Sequence, residues 1–232
     1  MKKFLFLWLL IPVWVSAQNR QIVEATAGED LTQVVSTQFQ YVFPEFTGGD
    51  VFYAGMPKVS GILNYNTLLG EMQFLDQNGQ VLSLANVKDV TMVNIGNRRF
   101  FPFKGNEFTE ELMSTGKVQL RVKRSGNAAQ HSKKGAYGTT SATSSITSYS
   151  SISSDSRQYN LTVAENVLVT LNNFYYLVEL NNKHILIKNI TAFTKMFPTH
   201  RAEIEAFAKE NNIRLNNGDD LKALLEFCGK LN

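Results

Sequence analysis

Apolar and polar residues alternate with a period of two through most of the chain between residues 38 and 124. The clearest example is residues 118–123, where Val-Gln-Leu-Arg-Val-Lys places every apolar side chain on one face. This alternation is typical of a half-buried β-strand. Asn78–Gly79 and Gly96–Asn97 interrupt it, and both pairs favour the tight two-residue turns of β-hairpins. The pattern therefore predicts a series of antiparallel strands joined by short turns.

A second group of apolar runs follows residue 157, at residues 159–163, 167–171 and 174–180. Asn181–Asn182 then predicts a turn into a last strand at 183–187. The connections are too short for the crossovers that parallel strands need. We expect the two groups to pair into one sheet, with residues 118–122 beside residues 159–163, because neither group alone buries enough surface.

The period changes from two to that of a helix near the C-terminus. Asn217 can cap the last helix, and two aspartates follow it in the first turn. Four apolar residues then recur at the spacing of one helical face: Leu221, Leu224, Leu225 and Cys228. Strands followed by helices predict an α+β fold, an antiparallel β meander in a curved sheet or sandwich with a C-terminal helical segment packed on it.

The first seventeen residues have the pattern of a signal peptide. Lys2 and Lys3 precede the apolar run 4–15, and Ser16–Ala17 end the segment with small residues. We expect export to the periplasm, the envelope or the medium, with no transmembrane segment after signal removal. Loss of the two lysines leaves 21 basic against 20 acidic residues. This near balance argues against nucleic acid as a partner.

The mature chain divides by composition. We expect a partly disordered lead segment at 18–37, an antiparallel β domain at 38–188, and helices packed on the same domain at 189–232. Within residues 139–156, 13 of 18 are Ser or Thr. So few large apolar side chains cannot offset the entropy of ordering the chain, so residues 125–157 are predicted to form a flexible loop.

Few residues suggest catalysis or metal binding. His131, His184 and His200 are widely separated, and no two of them have the spacing of metal ligands. Cys228 lies on the apolar face of the last helix, which favours a buried, inert thiol. Gly48–Gly49–Asp50 lacks the repeated acidic positions of a calcium loop and the Lys-Ser/Thr of a phosphate loop. We therefore predict no catalytic residue, no metal and no cofactor, although a site assembled from distant residues stays open.

One dense patch of basic and aromatic residues could bind a ligand or partner. Arg98 and Arg99 precede Phe100 and Phe101 on a predicted strand. We select Arg98, Arg99 and Phe101 as candidate binding residues. The alternative is that the arginine stems cover apolar surface of the sheet.

Three segments together resemble small, uncharacterised exported proteins of Bacteroidota: residues 61–84, residues 97–101, and the tail from Phe197–Pro198–Thr199 to Cys228. The resemblance implies export and a non-enzymatic role, and it supplies no catalytic residues.

Three functions agree with these observations. The first is a non-catalytic module of the cell envelope that binds an envelope or extracellular partner or has a structural role. The second is a carrier of an apolar ligand such as a lipid, because the sixteen Phe residues could line a cavity as well as fill a core. The third is a hydrolase whose site is assembled in space.

Overall fold

The computed structural model describes residues 22–130, 146–147, 167–179 and 181–231. Every strand in this part of the chain belongs to one antiparallel sheet, ordered β1-β11-β9-β8-β7-β6-β2-β3-β4-β5, with β10 paired to β9 and β12 to β11. The strands are β1 (Ile22–Ala25), β2 (Thr47–Tyr53), β3 (Val59–Asn66), β4 (Glu71–Leu75), β5 (Val81–Ser83), β6 (Val90–Ile95), β7 (Arg98–Pro102), β8 (Phe108–Thr115), β9 (Val118–Gln130), β10 (Ile146–Thr147), β11 (Val167–Glu179) and β12 (His184–Leu186).

The helices follow or flank this sheet. Two short ones, α1 (Leu31–Val34) and α2 (Thr37–Gln40), precede β2, and three form the C-terminal segment: α3 (Thr191–Met196), α4 (Arg201–Glu210) and α5 (Gly218–Lys230). The predicted α+β class, with an antiparallel meander and C-terminal helices, is confirmed. None of the helices in the described ranges is both long and apolar enough to cross a membrane.

Both predicted hairpin turns are present. Between β4 and β5, Gly79 adopts a φ of 76°, and the Asp76 carboxylate accepts hydrogen bonds from the N–H groups of Asn78 and Gln80 at 2.8 and 2.7 Å. Between β6 and β7, Gly96 adopts a φ of 57°. Glycine reaches this left-handed region without steric cost, which explains its position in both turns.

The sheet curls until the β3–β4 connection contacts the other end of the sheet. The N–H of Gly126 on β9 donates to the Thr67 carbonyl oxygen at 2.9 Å. Leu68 and Leu69 pack in a buried cluster with Ala25 and Val169, which belong to β1 and β11. The backbone of this buried connection is hydrogen-bonded, because the side chain of Asn66 accepts from both leucine N–H groups at 3.0 Å.

The interior has two large clusters. One lies on the inner face of the β2–β4 and β6–β8 part of the sheet and includes the fully buried Leu63, Tyr65, Phe100 and Phe108. The other lies between the C-terminal helices and strands β9 and β11. The predicted apolar face of α5 is completely buried there, and the Asn217 side chain accepts hydrogen bonds from the N–H groups of Asp219 and Asp220. Burial of this face attaches the helical segment to the sheet.

The two predicted groups of strands form one sheet, although the predicted boundaries were wrong in places. Residues 125–130 belong to β9 rather than to the flexible loop, and residues 146–147 pair with β9. The neighbour of β9 is β11, a single strand of 13 residues where we expected two. The predicted strand 159–163, the signal peptide 1–17 and the rest of the 125–157 loop lie outside the described residues. Within the lead segment 18–37, the part from residue 22 is structured as β1 and α1.

Candidate functional site

Strand β7 separates the three predicted binding residues. Successive side chains of a strand point to opposite faces of its sheet. Arg98 therefore shares the inner face with the buried Phe100, and Arg99 and Phe101 lie on the outer face. The structure thus brings two of the three candidates together on one surface and places the third, partly buried, on the opposite face of the sheet.

Arg98 stabilises the fold through an ion pair with a buried carboxylate. Its guanidinium donates to both carboxylate oxygens of Glu110 on β8, at 2.5 and 2.6 Å, and Arg124 on β9 pairs with the same carboxylate. Glu110 is 5% exposed, and Arg98 also lies 5.0 Å from the centre of the Phe43 ring. A buried carboxylate is costly unless it is paired and hydrogen-bonded, so the two arginines satisfy Glu110 within the fold.

Arg99 and Phe101 belong to a network on the outer face. Arg99 pairs with Glu111 of β8, whose other oxygen accepts from the Gln119 amide at 3.1 Å. The Arg121 guanidinium lies 3.8 Å from the centre of the Phe101 ring. Its Nε donates to Gln119 at 2.9 Å, so long side chains from all three strands β7, β8 and β9 lie against one another on this surface.

Arg121 lies on the outer face of the sheet, but its side chain is largely shielded from water. The residue is 5% exposed, and burial lowers its pKa to about 10. The Glu111 carboxylate opposes that change in pKa, and the neighbouring charge of Arg99 adds to it. The guanidinium remains charged at neutral pH, and the stacked ring of Phe101 partly replaces its lost water.

A second group on the same face surrounds Phe103, which follows β7. The ring centres of Tyr176 and His184 both lie 5.1 Å from that of Phe103. The ammonium groups of Lys104 and Lys123 lie 5.7 and 5.8 Å from the same ring centre. The residues of both groups together form what we call the cationic–aromatic face: Arg99, Phe101, Phe103, Lys104, Glu107, Glu111, Arg121, Lys123, Tyr176 and His184.

The charge on this face is unequal. Four cations face two carboxylates, and both carboxylates are already paired, Glu107 with Lys123 at 2.7 Å and Glu111 with Arg99. Burial, with added effects of Arg121 and Lys104, lowers the pKa of His184. The imidazole Nε2 is buried and finds no hydrogen-bond partner within the described part of the chain.

A groove of about 660 Å³ opens on the inner side of the sheet, where the β2–β3 and β4–β5 hairpins approach each other. We call it the apolar groove. Its lining is Tyr53, Met56, Pro57, Lys58, Val59, Phe74, Leu82, Ser83, Leu84, Ala85, Asn86 and Asp89. Met56 and Val59 are 57% and 56% exposed, so large apolar side chains at its mouth face solvent. The groove continues outward from the core cluster, since Tyr53, Phe74 and Leu84 also pack against that cluster.

The other residues considered from the sequence are placed as follows. Cys228 is buried, and burial raises the pKa of its thiol to about 12. His200 forms the end of a 3₁₀ turn before α4, and His131 lies outside the described residues. Gly48–Gly49–Asp50 forms part of β2. Over the described ranges, no three His, Cys, Asp or Glu side chains are grouped so that they could hold a metal ion.

Sequence reasoning did not identify the apolar groove. Its two walls are hairpins that lie about twenty residues apart in the chain, and no local pattern relates them. A signal for one wall was present, because Met56 lies in the β2–β3 turn, where polar residues are usual, and Val59 follows that turn directly.

Comparison with known proteins adds no functional assignment. No protein-family model matches the chain, and neither curated proteins nor solved structures give a significant match.

Proposed function

We propose that this chain is an exported, non-catalytic binding module of the cell envelope, and that it holds an apolar ligand in the apolar groove. The observation that supports this proposal is the groove itself, with Met56 and Val59 more than half exposed at its mouth. Its volume of about 660 Å³ falls within the roughly 300–1,000 Å³ of small-molecule sites.

The lining of the groove favours an apolar ligand. Phe74, Leu82 and Leu84 supply the inner wall, while Lys58 and Asp89 are the charged residues of the lining. Lys58 is paired with Asp50 at 2.7 Å, so its ammonium group is already neutralised. A ligand that enters the groove therefore gains by covering apolar surface, and we expect its polar end to remain at the mouth.

Binding of an uncharged fluorescent probe tests the proposal. N-phenyl-1-naphthylamine brightens when it leaves water, and its lack of charge keeps it from being attracted by the cationic–aromatic face. We expect saturable enhancement with the purified protein. Val59→Asp should weaken this binding about tenfold or more, because it places an unpaired carboxylate against the apolar ligand.

Val81→Asp is the matched control. Val81 is 42% exposed on β5, but its side chain points to the outer face and does not line the groove. We expect Val81→Asp to bind the probe as the original protein does. Equal losses in both variants, or the absence of saturable binding, would contradict the proposal.

Export is a separate part of the proposal and rests on the N-terminal pattern. If residues 1–17 are a signal peptide, the protein recovered from the envelope fraction should begin at Gln18. Intact-mass measurement of that protein decides this point. A chain that retains Met1 and stays in the cytoplasmic fraction would contradict export and leave the probe experiment unaffected.

A further inference from the structure

We propose that the cationic–aromatic face binds an acidic polysaccharide chain, a ligand different from the apolar one assigned to the groove. The proposal starts from the charge on this face, where four cations surround two carboxylates. The carboxylate of Glu111 is 4% exposed, whereas its partner Arg99 is 50% exposed. Solvent therefore meets more of the positive charge than of the negative charge, and an anionic partner complements this surface.

The position of the cations favours an extended chain. Arg99 on β7 and Arg121 on β9 lie on opposite sides of β8, so their strands are about 10 Å apart. The pairs Lys123 with Glu107 and Arg121 with the Phe101 ring hold both cations along the sheet. A chain with regularly spaced carboxylates can lie across these strands and meet the exposed Arg99 and Lys104 directly, while the charge of Arg121, which is 5% exposed, attracts it from beneath the surface. A membrane surface is usually contacted by basic side chains that project toward it. Lys123 and Arg121 are instead held along the sheet, which favours a polysaccharide chain over a membrane.

Aromatic rings on the same face favour sugars. Phe174 pairs in register with Lys123 and is 37% exposed, and Tyr176 is the next residue of β11 on that face. The C–H faces of pyranose rings pack on aromatic rings, while carboxylates on those sugars pair with Arg and Lys. The face thus offers both kinds of contact that an acidic sugar needs.

Binding of fluorescently labelled polygalacturonate to the purified protein tests this inference. We expect binding at low ionic strength that added salt weakens, and no binding of neutral dextran. Arg99→Gln and Lys104→Gln should each weaken binding about two- to fivefold, as expected for loss of one exposed charge contact. Lys104 is exposed in the β7–β8 turn, so its replacement tests the face without disturbing Glu111.

Arg201→Gln is the control, because it also removes one cation from an exposed ion pair, that with Glu205 at 2.9 Å on α4. We expect no change in affinity for this variant. Equal loss in all three variants would overturn the inference, since net charge and not this face would then determine binding. Preference for vesicles of anionic lipid over polygalacturonate, or no binding of polygalacturonate, would overturn it too. The groove is tested with an uncharged probe, so neither of these results decides whether the proposed function is correct.

Discussion

Replacing Gly49 by alanine tests how closely strands β2 and β6 approach. A Cβ atom at this position would lie 2.3 Å from the backbone oxygen of Asn94 and 3.0 Å from a methyl carbon of Leu63. A carbon normally stays about 3.3–3.6 Å from a carbonyl oxygen, so one strand would have to move by about 1 Å. Gly49 and Ile95 face each other in the β2–β6 ladder, and that movement would disturb their hydrogen bonds.

We expect Gly49→Ala to reduce the free energy of unfolding by about 2–3 kcal/mol, the upper part of the range for an overpacked interior, because the contact is with backbone. Urea denaturation followed by circular dichroism measures this change. For a domain of this size, the loss corresponds to a fall of about 1 M in the urea midpoint.

Gly48→Ala is the matched control, because a Cβ at Gly48 meets no heavy atom within 4 Å. Gly48 precedes Gly49 in the same strand, and neither residue has a left-handed φ. Gly48→Ala should leave stability unchanged or raise it by up to about 1 kcal/mol, since alanine restricts the unfolded chain. If the two variants prove equally stable, the argument from the β2–β6 approach is refuted.

Three further predictions follow from single groups. Asn217→Ala removes the side-chain cap of α5 and should reduce the free energy of unfolding in urea by about 1 kcal/mol, whereas an unchanged value would show that the cap contributes nothing. The pKa of His184 measured by NMR should lie below its usual value of 6.5, and a midpoint at or above 6.5 would contradict this. The contribution of His184 to stability should fall as the pH drops from 6.5 through the folded-state pKa, because the unfolded chain binds more protons in that range. Cys228 should resist a thiol reagent at pH 8 in the native protein and react once the protein is unfolded in urea, and rapid native reaction would contradict its burial.

The sequence was most informative where structure depends on neighbouring residues. Asn78–Gly79 marks a hairpin because glycine reaches a positive φ, and the spacing of Leu221 and Leu225 marks one face of a helix. Asn217 caps that helix through hydrogen bonds to residues two and three positions later. Each feature involves groups a few residues apart, so the pattern contains what is needed to predict it.

The candidate binding residues show a limit of that approach. Their basic and aromatic composition did not separate Arg98 from Arg99. The carboxylate that satisfies Arg98 belongs to Glu110, on the next strand. Which arginine shares a face with the core depended on which side of β7 the core covers, and that is a property of the assembled sheet.

Gly48–Gly49 is a second example of a feature that the sequence alone did not explain. The sequence matched the pair to neither a calcium loop nor a phosphate loop and gave it no other role, whereas in the structure Gly49 allows the β6 backbone to approach. Sequence alone therefore determined the strand and helix periods, the turns and the cap, because these follow from φ preferences and side-chain spacing. Only the tertiary structure decided the curl of the sheet, the burial of the β3–β4 connection, the apolar groove and the cationic–aromatic face. Each of these depends on contacts between strands distant in the chain, where packing and paired charges select one arrangement among many that the local pattern allows.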